Sequence, residues 1–175
     1  MRILLIILFS LLAKEFFGQD STTSAYINDL VKNIESRLST DILEKKDTSI
    51  YDDGDTLQTG NPLIVHTEFF TDSKTMLLDK IVEKSLYKKY STELTVYFQG
   101  NQPVLFCNRQ WEGSNVKIDF DVYYMNGNTV NFVKKTAFKG VPDGDEYLKW
   151  CYQLRKQYEQ IVMEYNTTFR HGRLR

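Results

Sequence analysis

Few residues in this chain of 175 could carry out chemistry. Asp119 and Asp121 alternate along one predicted strand, which places their carboxylates about 7 Å apart on one face. Two carboxylates at that separation can share acid and base roles in glycoside hydrolysis. His66, close to Glu68, is a second candidate base, whereas His171 lies near the C-terminus. These residues define a small hydrolase as one hypothesis.

The two cysteines, Cys107 and Cys151, allow two states. In an oxidising compartment they can form a disulfide that closes a loop of about 45 residues, with a stabilisation on the order of 4 kcal/mol. The alternative is a pair of buried thiols. Spacing also permits a nucleophilic pair of Cys107 with His66, but the sequence shows no positive charge or helix terminus that would favour a thiolate.

Six residues indicate a binding surface, three aromatic and three charged: Tyr97, Arg109, Trp111, Asp119, Asp121 and Tyr123. Strand alternation places all six on one face of a predicted sheet. Rigid aromatic rings supply contact area and charges orient a partner, as in surfaces that bind proteins or sugars. The alternative is that these side chains pack beneath the connection formed by residues 39–61 or face water.

A sequence motif that occurs three times places these residues on strands. Each copy has two aromatic residues, then four polar residues, then an apolar segment, and the copies begin at Phe69, Tyr97 and Tyr123. Each copy is typical of a β-hairpin tip, and the three together predict a six-stranded antiparallel meander over residues 62–138. The segment 74–90 also fits the apolar stripe of a helix, but its alignment with the repeat favours a strand.

Face alternation constrains the turns of this meander. If the even-numbered apolar residues all point to the core, Tyr124 should oppose Val130 and Phe98 should oppose Val104. A two-residue turn at Asn126-Gly127 would reverse the faces. We therefore expect a three-residue turn with a bulge at glycine.

Two amphipathic helices flank the meander. Apolar residues recur at helical spacing over about 22–38 and about 144–166, and Asp143 with Glu146 is related to a capping box. We expect an α+β fold with both helices packed on the even-numbered face. That arrangement conflicts with a disulfide, because Cys107 belongs to the odd-numbered face.

The N-terminus indicates export. Arg2 and the apolar run from Ile3 to Ala13 predict a signal peptide over 1–18, with Gln19 as the first residue of a periplasmic or secreted protein. We expect one domain over 19–175, in which residues 39–61 form a connection and residues 168–175 a mobile tail. No later segment predicts membrane insertion.

Charge and composition exclude several classes of function. The 22 basic and 23 acidic residues are spread along the chain, which argues against nucleic-acid binding. The acidic cluster 52–55 lacks the ligand spacing of an EF-hand, so no metal and no cofactor is expected. The sequence favours an exported, non-enzymatic protein that binds a protein, a glycan or another envelope component, such as an inhibitor of a hydrolase. The alternatives are the small hydrolase above and an envelope structural component.

Overall fold

The computed structural model describes residues 22–37, 42–45, 64–72, 75, 77–140 and 142–172, with backbone alone for 42–45, 64 and 165–172. The predicted signal peptide, the acidic cluster 52–55 and most of the connection 39–61 lie outside the described residues.

Seven antiparallel strands form one sheet whose spatial order follows the chain. The strands are β1 (Ile42–Lys45), β2 (Ile64–Thr71), β3 (Leu78–Tyr87), β4 (Tyr90–Gln99), β5 (Gln102–Glu112), β6 (Asn115–Met125) and β7 (Asn128–Lys134). Strands β2 to β7 confirm the predicted six-stranded meander, and β3 confirms a strand rather than a helix within 74–90. The additional strand β1 pairs with β2 at the edge of the sheet, inside the segment expected to be a connection.

Two helices complete the α+β fold. Helix α1 covers residues 22–37, and helix α2 covers Gly144–Gly172. The Asp143 carboxylate accepts hydrogen bonds from the amides of Asp145 (3.0 Å) and Glu146 (3.4 Å), so Asp143 is the N-cap that the sequence predicts. The backbone stays helical as far as Gly172, beyond the predicted helix end at about residue 166. No glycine or proline occurs from Asp145 to His171, and an existing helix propagates at low cost.

The helices lie on opposite faces of the sheet, and the expectation that they share one face is wrong. Cys151, Leu154 and Tyr158 of α2 pack on the even-numbered residues of the central strands, among them Val96, Phe106, Val122 and Tyr124. Ile27 and Ile34 of α1 pack on the other face, against Tyr97, Leu105 and Tyr123. A stripe of apolar residues on a helix fits any apolar sheet face, so helical periodicity alone does not choose between the two.

The turns also differ from the expectation. Gly100 and Asn101 have φ of 55° and 67°, and Asn126 and Gly127 have φ of 52° and 76°. Positive φ at both central residues is typical of a two-residue type I′ turn, which matches the right-handed twist of the flanking strands. The three-residue turn is therefore wrong.

The bulges that keep the even-numbered apolar residues on one face of the sheet occur inside the strands and not in the turns. Phe98 is opposite Pro103 and Tyr124 is opposite Thr129, and the register shifts immediately beyond each pair. The extra residues, Val104 and Val130, pack in the cluster under α1 instead of the core under α2. An extra residue was needed to keep the faces consistent, but it follows the two residue pairs that close each tight turn.

Candidate functional site

The face of the sheet that carries α1 contains the predicted binding surface, and cross-strand pairing arranges it in four rows. The row nearest the turns at 100–101 and 126–127 runs through Lys80, Tyr97, Leu105, Tyr123 and Asn131. The second row runs through Val82, Thr95, Cys107, Asp121 and Val133. Helix α1 lies over the first row and reaches the second, because Val31 packs in the same cluster as Cys107.

Polar contacts fix α1 on this first row. The Glu35 carboxylate accepts hydrogen bonds from Lys80 Nζ (2.7 Å) and the Tyr97 hydroxyl (2.6 Å). The Tyr123 hydroxyl donates to Asn28 Oδ1 at 3.2 Å. Two of the six predicted binding residues, Tyr97 and Tyr123, are therefore buried beneath α1 and hydrogen-bonded to it. The sequence analysis considered that these tyrosines form an open surface or pack beneath residues 39–61. In the structure a helix, α1, covers them instead.

The next row contains charged residues. Its successive cross-strand neighbours are His66, Lys84, Glu93, Arg109 and Asp119. Lys84 Nζ lies 3.9 Å from a Glu93 oxygen, and Arg109 Nε lies 3.1 Å from Asp119 Oδ2. We call this row the charge ladder. Opposite charges on neighbouring strands stabilise a sheet face and leave little net field above it.

A fourth row, formed by Leu86, Ser91, Trp111 and Val116, completes this face. Leu86 is 47% exposed, Val116 is 42% exposed, and Trp111 is half-buried. The Arg109 guanidinium lies 6.0 Å from the centre of the Trp111 ring, within cation–π range. We call the charge ladder and this apolar row the open half of the face, because α1 is hydrogen-bonded to the first row, at Lys80, Tyr97, Tyr123 and Asn131.

A polar cleft of about 350 Å³ lies between α1 and the charge ladder. Its charged side chains are three basic and three acidic: Lys80, Glu93, Arg109, Asp119, Asp121 and Lys135. Lys135 Nζ lies 2.8 Å from Asp121 Oδ2 and 4.0 Å from Asp119 Oδ1. Asp121 is buried, and such a charge is retained only when it is paired. The acidic and basic side chains of the cleft therefore balance one another in charge.

The acidic pair does not resemble a hydrolase site. Asp119 is paired with Arg109, and Asp121 is paired with Lys135. Both carboxylates therefore lie in ion pairs with neighbouring basic side chains, and the Asp119 amide donates a hydrogen bond to Thr136 Oγ1 at 2.9 Å. The arrangement is typical of a structural ion-pair network.

Cys107 lies beside Asp121 on the neighbouring strand. Desolvation and the Asp121 carboxylate, which accepts a hydrogen bond from the thiol, raise the pKa of Cys107 well above its usual value. Burial likewise raises the pKa of Cys151, to about 12. Both cysteines are free, and the sheet separates them, so of the two states that the sequence allows this structure has the pair of thiols. Protonated thiols are poor nucleophiles.

His66 is also distant from Cys107. Three strand spacings lie between β2 and β5, which amounts to about 14 Å. His66 Nε2 instead lies 3.2 Å from Glu68 Oε1 on its own strand. The geometry therefore excludes the nucleophile–base pair that sequence spacing permits.

A second recess, of about 590 Å³, opens over the far end of the sheet. We call it the Trp111 groove, and its side chains belong to the open half: His66, Lys84, Leu86, Ser91, Glu93 and Trp111. Ser114, in the turn between β5 and β6, adds a hydroxyl. Its volume falls within the range of small-molecule sites.

Comparison with protein-family models, curated proteins and solved structures finds no match to this chain. The assignment of a site therefore depends on the geometry of this face alone.

The structure divides the six predicted residues into two groups. Tyr97, Tyr123 and Asp121 are buried in the contact with α1 or in the ion-pair network. Arg109 is exposed, Asp119 and Trp111 are half-buried, and these three lie on the open half. Alternation correctly places all six on one face, but it contains no information about which of them a helix covers.

Sequence reasoning missed several residues of the Trp111 groove. Lys84 and Leu86 lie in the segment that also fits a helix, so their common face with Trp111 depends on the strand assignment. Lys135 was missed because it follows β7, where alternation ends. Within the described part of the chain, no cluster of three or more His, Cys, Asp or Glu side chains could hold a metal ion. No described helix is long and apolar enough to cross a membrane.

Proposed function

We propose that this chain is an exported, non-enzymatic binding protein that recognises a protein or envelope component through the open half of the α1-side face. The observation that carries the proposal is the apolar row of Leu86, Trp111 and Val116, left accessible at the end of a sheet whose other half is covered. A water-facing antiparallel strand normally presents polar residues. Exposed apolar side chains along such a row, interrupted here by Ser91, are instead typical of an interaction site.

The charge ladder supports the same proposal. It borders the apolar row along its whole length and carries the exposed side chains of Lys84 and Arg109. An apolar centre with a polar border is the common composition of protein recognition surfaces. The ion pairs of Asp119 and Asp121 and the raised pKa of Cys107 favour binding over catalysis.

Export is the second part of the proposal. It is supported by Arg2 and the apolar run from Ile3 to Ala13, which are typical of a signal peptide. Expression of the full chain in its host, followed by N-terminal sequencing of the exported protein, tests it. We expect a mature N-terminus at Gln19. A full-length protein retained inside the cell would contradict export.

Capture from the exported fraction tests the binding surface. The immobilised protein is compared with Arg109→Ala and Trp111→Ala, and Lys149→Ala on α2 serves as the control at an exposed position. We expect the wild type and the control to retain the same component and the two open-half variants to lose it, with all four proteins equally folded by circular dichroism. Equal capture by all four would overturn the assignment of the surface.

A further variant, Asp119→Asn, separates binding from hydrolysis. Asp119→Asn removes one carboxylate of the acidic pair and keeps its shape. If the chain were a hydrolase that uses this pair, turnover on a panel of glycosides and esters would be present in the wild type and lost in the folded variant. We expect no turnover in either protein, and turnover that depends on Asp119 would contradict a non-enzymatic function.

A further inference from the structure

The Trp111 groove has an apolar floor. Leu86 and Trp111 lie on the same row, separated by Ser91 on the strand between them. Arg109 adjoins the indole through its guanidinium. An indole presents a flat apolar face and one N–H donor, so it favours ligands that are apolar on one side and polar at their edges.

The polar groups around this floor carry no uncompensated charge. Lys84 is matched by Glu93, and Arg109 is matched by Asp119. A strongly charged ligand would have to break one of these pairs and would leave the other partner without its counter-ion. The groove therefore favours a neutral ligand.

Hydroxyl groups define the rest of the chemistry. Ser91 and Ser114 line the groove, and neither side chain has a hydrogen-bond partner among the described residues. A hydroxyl both donates and accepts, Lys84 donates, and Glu93 accepts, so the wall can match groups that do both. A pyranose ring combines such hydroxyls with an apolar C–H face.

We propose that the Trp111 groove binds a neutral saccharide, with the C–H face of one ring on Trp111 and Leu86 and its hydroxyls bonded to Lys84, Glu93 and the two serines. The inference rests on the proposed function and narrows its partner to a glycan. The recess is open to solvent, and its volume of about 590 Å³ is sufficient for a small saccharide lying on the sheet.

Titration calorimetry of the mature protein with neutral oligosaccharides tests the proposal. The probes are cello-, malto-, manno- and chito-oligosaccharides, and heparin serves as the anionic probe. We expect at least one neutral probe to bind, with the same affinity at low and high salt because no net charge is neutralised. Binding of heparin alone, or of no oligosaccharide, would overturn the proposal.

Variants connect binding to the groove. Trp111→Ala should lower the affinity for the neutral oligosaccharide by about tenfold or more, as truncation of a central aromatic contact does. Trp111→Phe should keep part of the affinity, and Trp150→Phe on α2 should keep all of it. Equal affinity of Trp111→Ala and the wild type would place the sugar elsewhere and overturn the proposal.

The outcome is distinguishable from failure of the proposed function. If the open-half variants lose capture of a protein while no saccharide binds, the binding surface stands and the saccharide is wrong. If capture is insensitive to Arg109→Ala and no saccharide binds, both proposals fail.

Discussion

Glu35 connects α1 to the sheet through two hydrogen bonds, one from Lys80 and one from Tyr97. Partial burial raises the pKa of its carboxyl, but hydrogen bonds from Lys80 and Tyr97 outweigh that effect and hold the pKa below its usual value. A carboxyl with a lowered pKa in the folded state stabilises the fold above its unfolded pKa. This stability is lost as the pH falls through the lowered value.

Glu35→Gln should therefore destabilise the protein at neutral pH and have little effect near pH 3. The side chain is 42% exposed, which screens the interaction, and we expect a loss of about 0.5–1 kcal/mol. Urea denaturation of both proteins at each pH measures it. The comparison with wild type removes the opposite contributions of Asp79 and Glu83, whose pKa values are raised by burial.

Asp29→Asn is the matched control on the same helix. Its partner is Lys32, one turn away, and both side chains are more than three-quarters exposed. We expect a change below about 0.5 kcal/mol at either pH. A loss for Glu35→Gln that is the same at both pH values would show that its charge contributes nothing.

The two thiols give a second prediction at the residue scale. Because Cys107 and Cys151 are free, titration of the denatured, unreduced protein with a thiol reagent should count two thiols. In the native protein at neutral pH both should react slowly, since their raised pKa values leave little thiolate. A count of zero in the denatured, unreduced protein would mean that the cysteines are bridged and would contradict the placement of the sheet between them.

At the scale of elements, the hairpins illustrate what a pattern can predict. Alternation in β4, β5 and β6 was strong enough to predict strands, faces and the need for an extra residue in each hairpin. It did not locate that residue, because turn and strand can both absorb it. The turns at Gly100-Asn101 and Asn126-Gly127 keep the favoured two-residue form, and the irregularity moves to Val104 and Val130.

The first turn of α2 lies close to the start of β7, and glycine permits this approach. A Cβ added at Gly144 would lie 2.8 Å from Thr129 Cγ2 and 3.1 Å from Thr129 Cβ. Gly144→Ala should therefore cost about 1–3 kcal/mol through overpacking. The free energy of unfolding from denaturant titration measures this cost.

Thr129→Ala provides the test of that cause. It removes Thr129 Oγ1 and Cγ2, the two atoms nearest the added methyl group, so the double variant should recover most of the stability lost in Gly144→Ala. A double-mutant cycle should give a coupling of about 1 kcal/mol or more. Additive effects would mean that the loss comes from elsewhere than the contact between α2 and β7.

At the scale of the whole molecule, the sheet is covered on both faces. Helix α2 covers the core that contains Cys151, and α1 covers the half-face that contains Cys107. The two helices can therefore be weakened separately. This arrangement makes each cysteine a reporter of the helix on its own side.

Ile34→Ala removes a fully buried side chain of α1 and should cost about 2–5 kcal/mol if the site does not collapse. Local opening of α1 should then increase the rate at which a thiol reagent modifies native Cys107, with little change at Cys151. Leu154→Ala on α2, the matched control, should have the opposite selectivity. Mass spectrometry of peptides modified over time measures both sites, and equal acceleration of the two cysteines in Ile34→Ala would contradict helices on opposite faces.

The sequence contained one signal for the second covered face. Pro103, Val104, Leu105 and Phe106 form a continuous apolar run, which is typical of a strand buried on both sides. Leu105 and Phe106 are indeed both buried, beneath α1 and α2 respectively. A strict alternation predicts only one buried face and hides this signal.

Local periodicity thus determined, by itself, the six strands of the meander, the two helices, the cap at Asp143 and the common face of the six candidate residues. These features depend on contacts between neighbouring residues or on side-chain direction along one element. The tertiary structure alone decided that α1 lies over Tyr97 and Tyr123, that Lys135 neutralises Asp121, and that Trp111 remains accessible. Those outcomes depend on contacts between residues distant in sequence. Both faces of the sheet are apolar enough to pack against a helix, so local pattern alone does not assign each helix to its face.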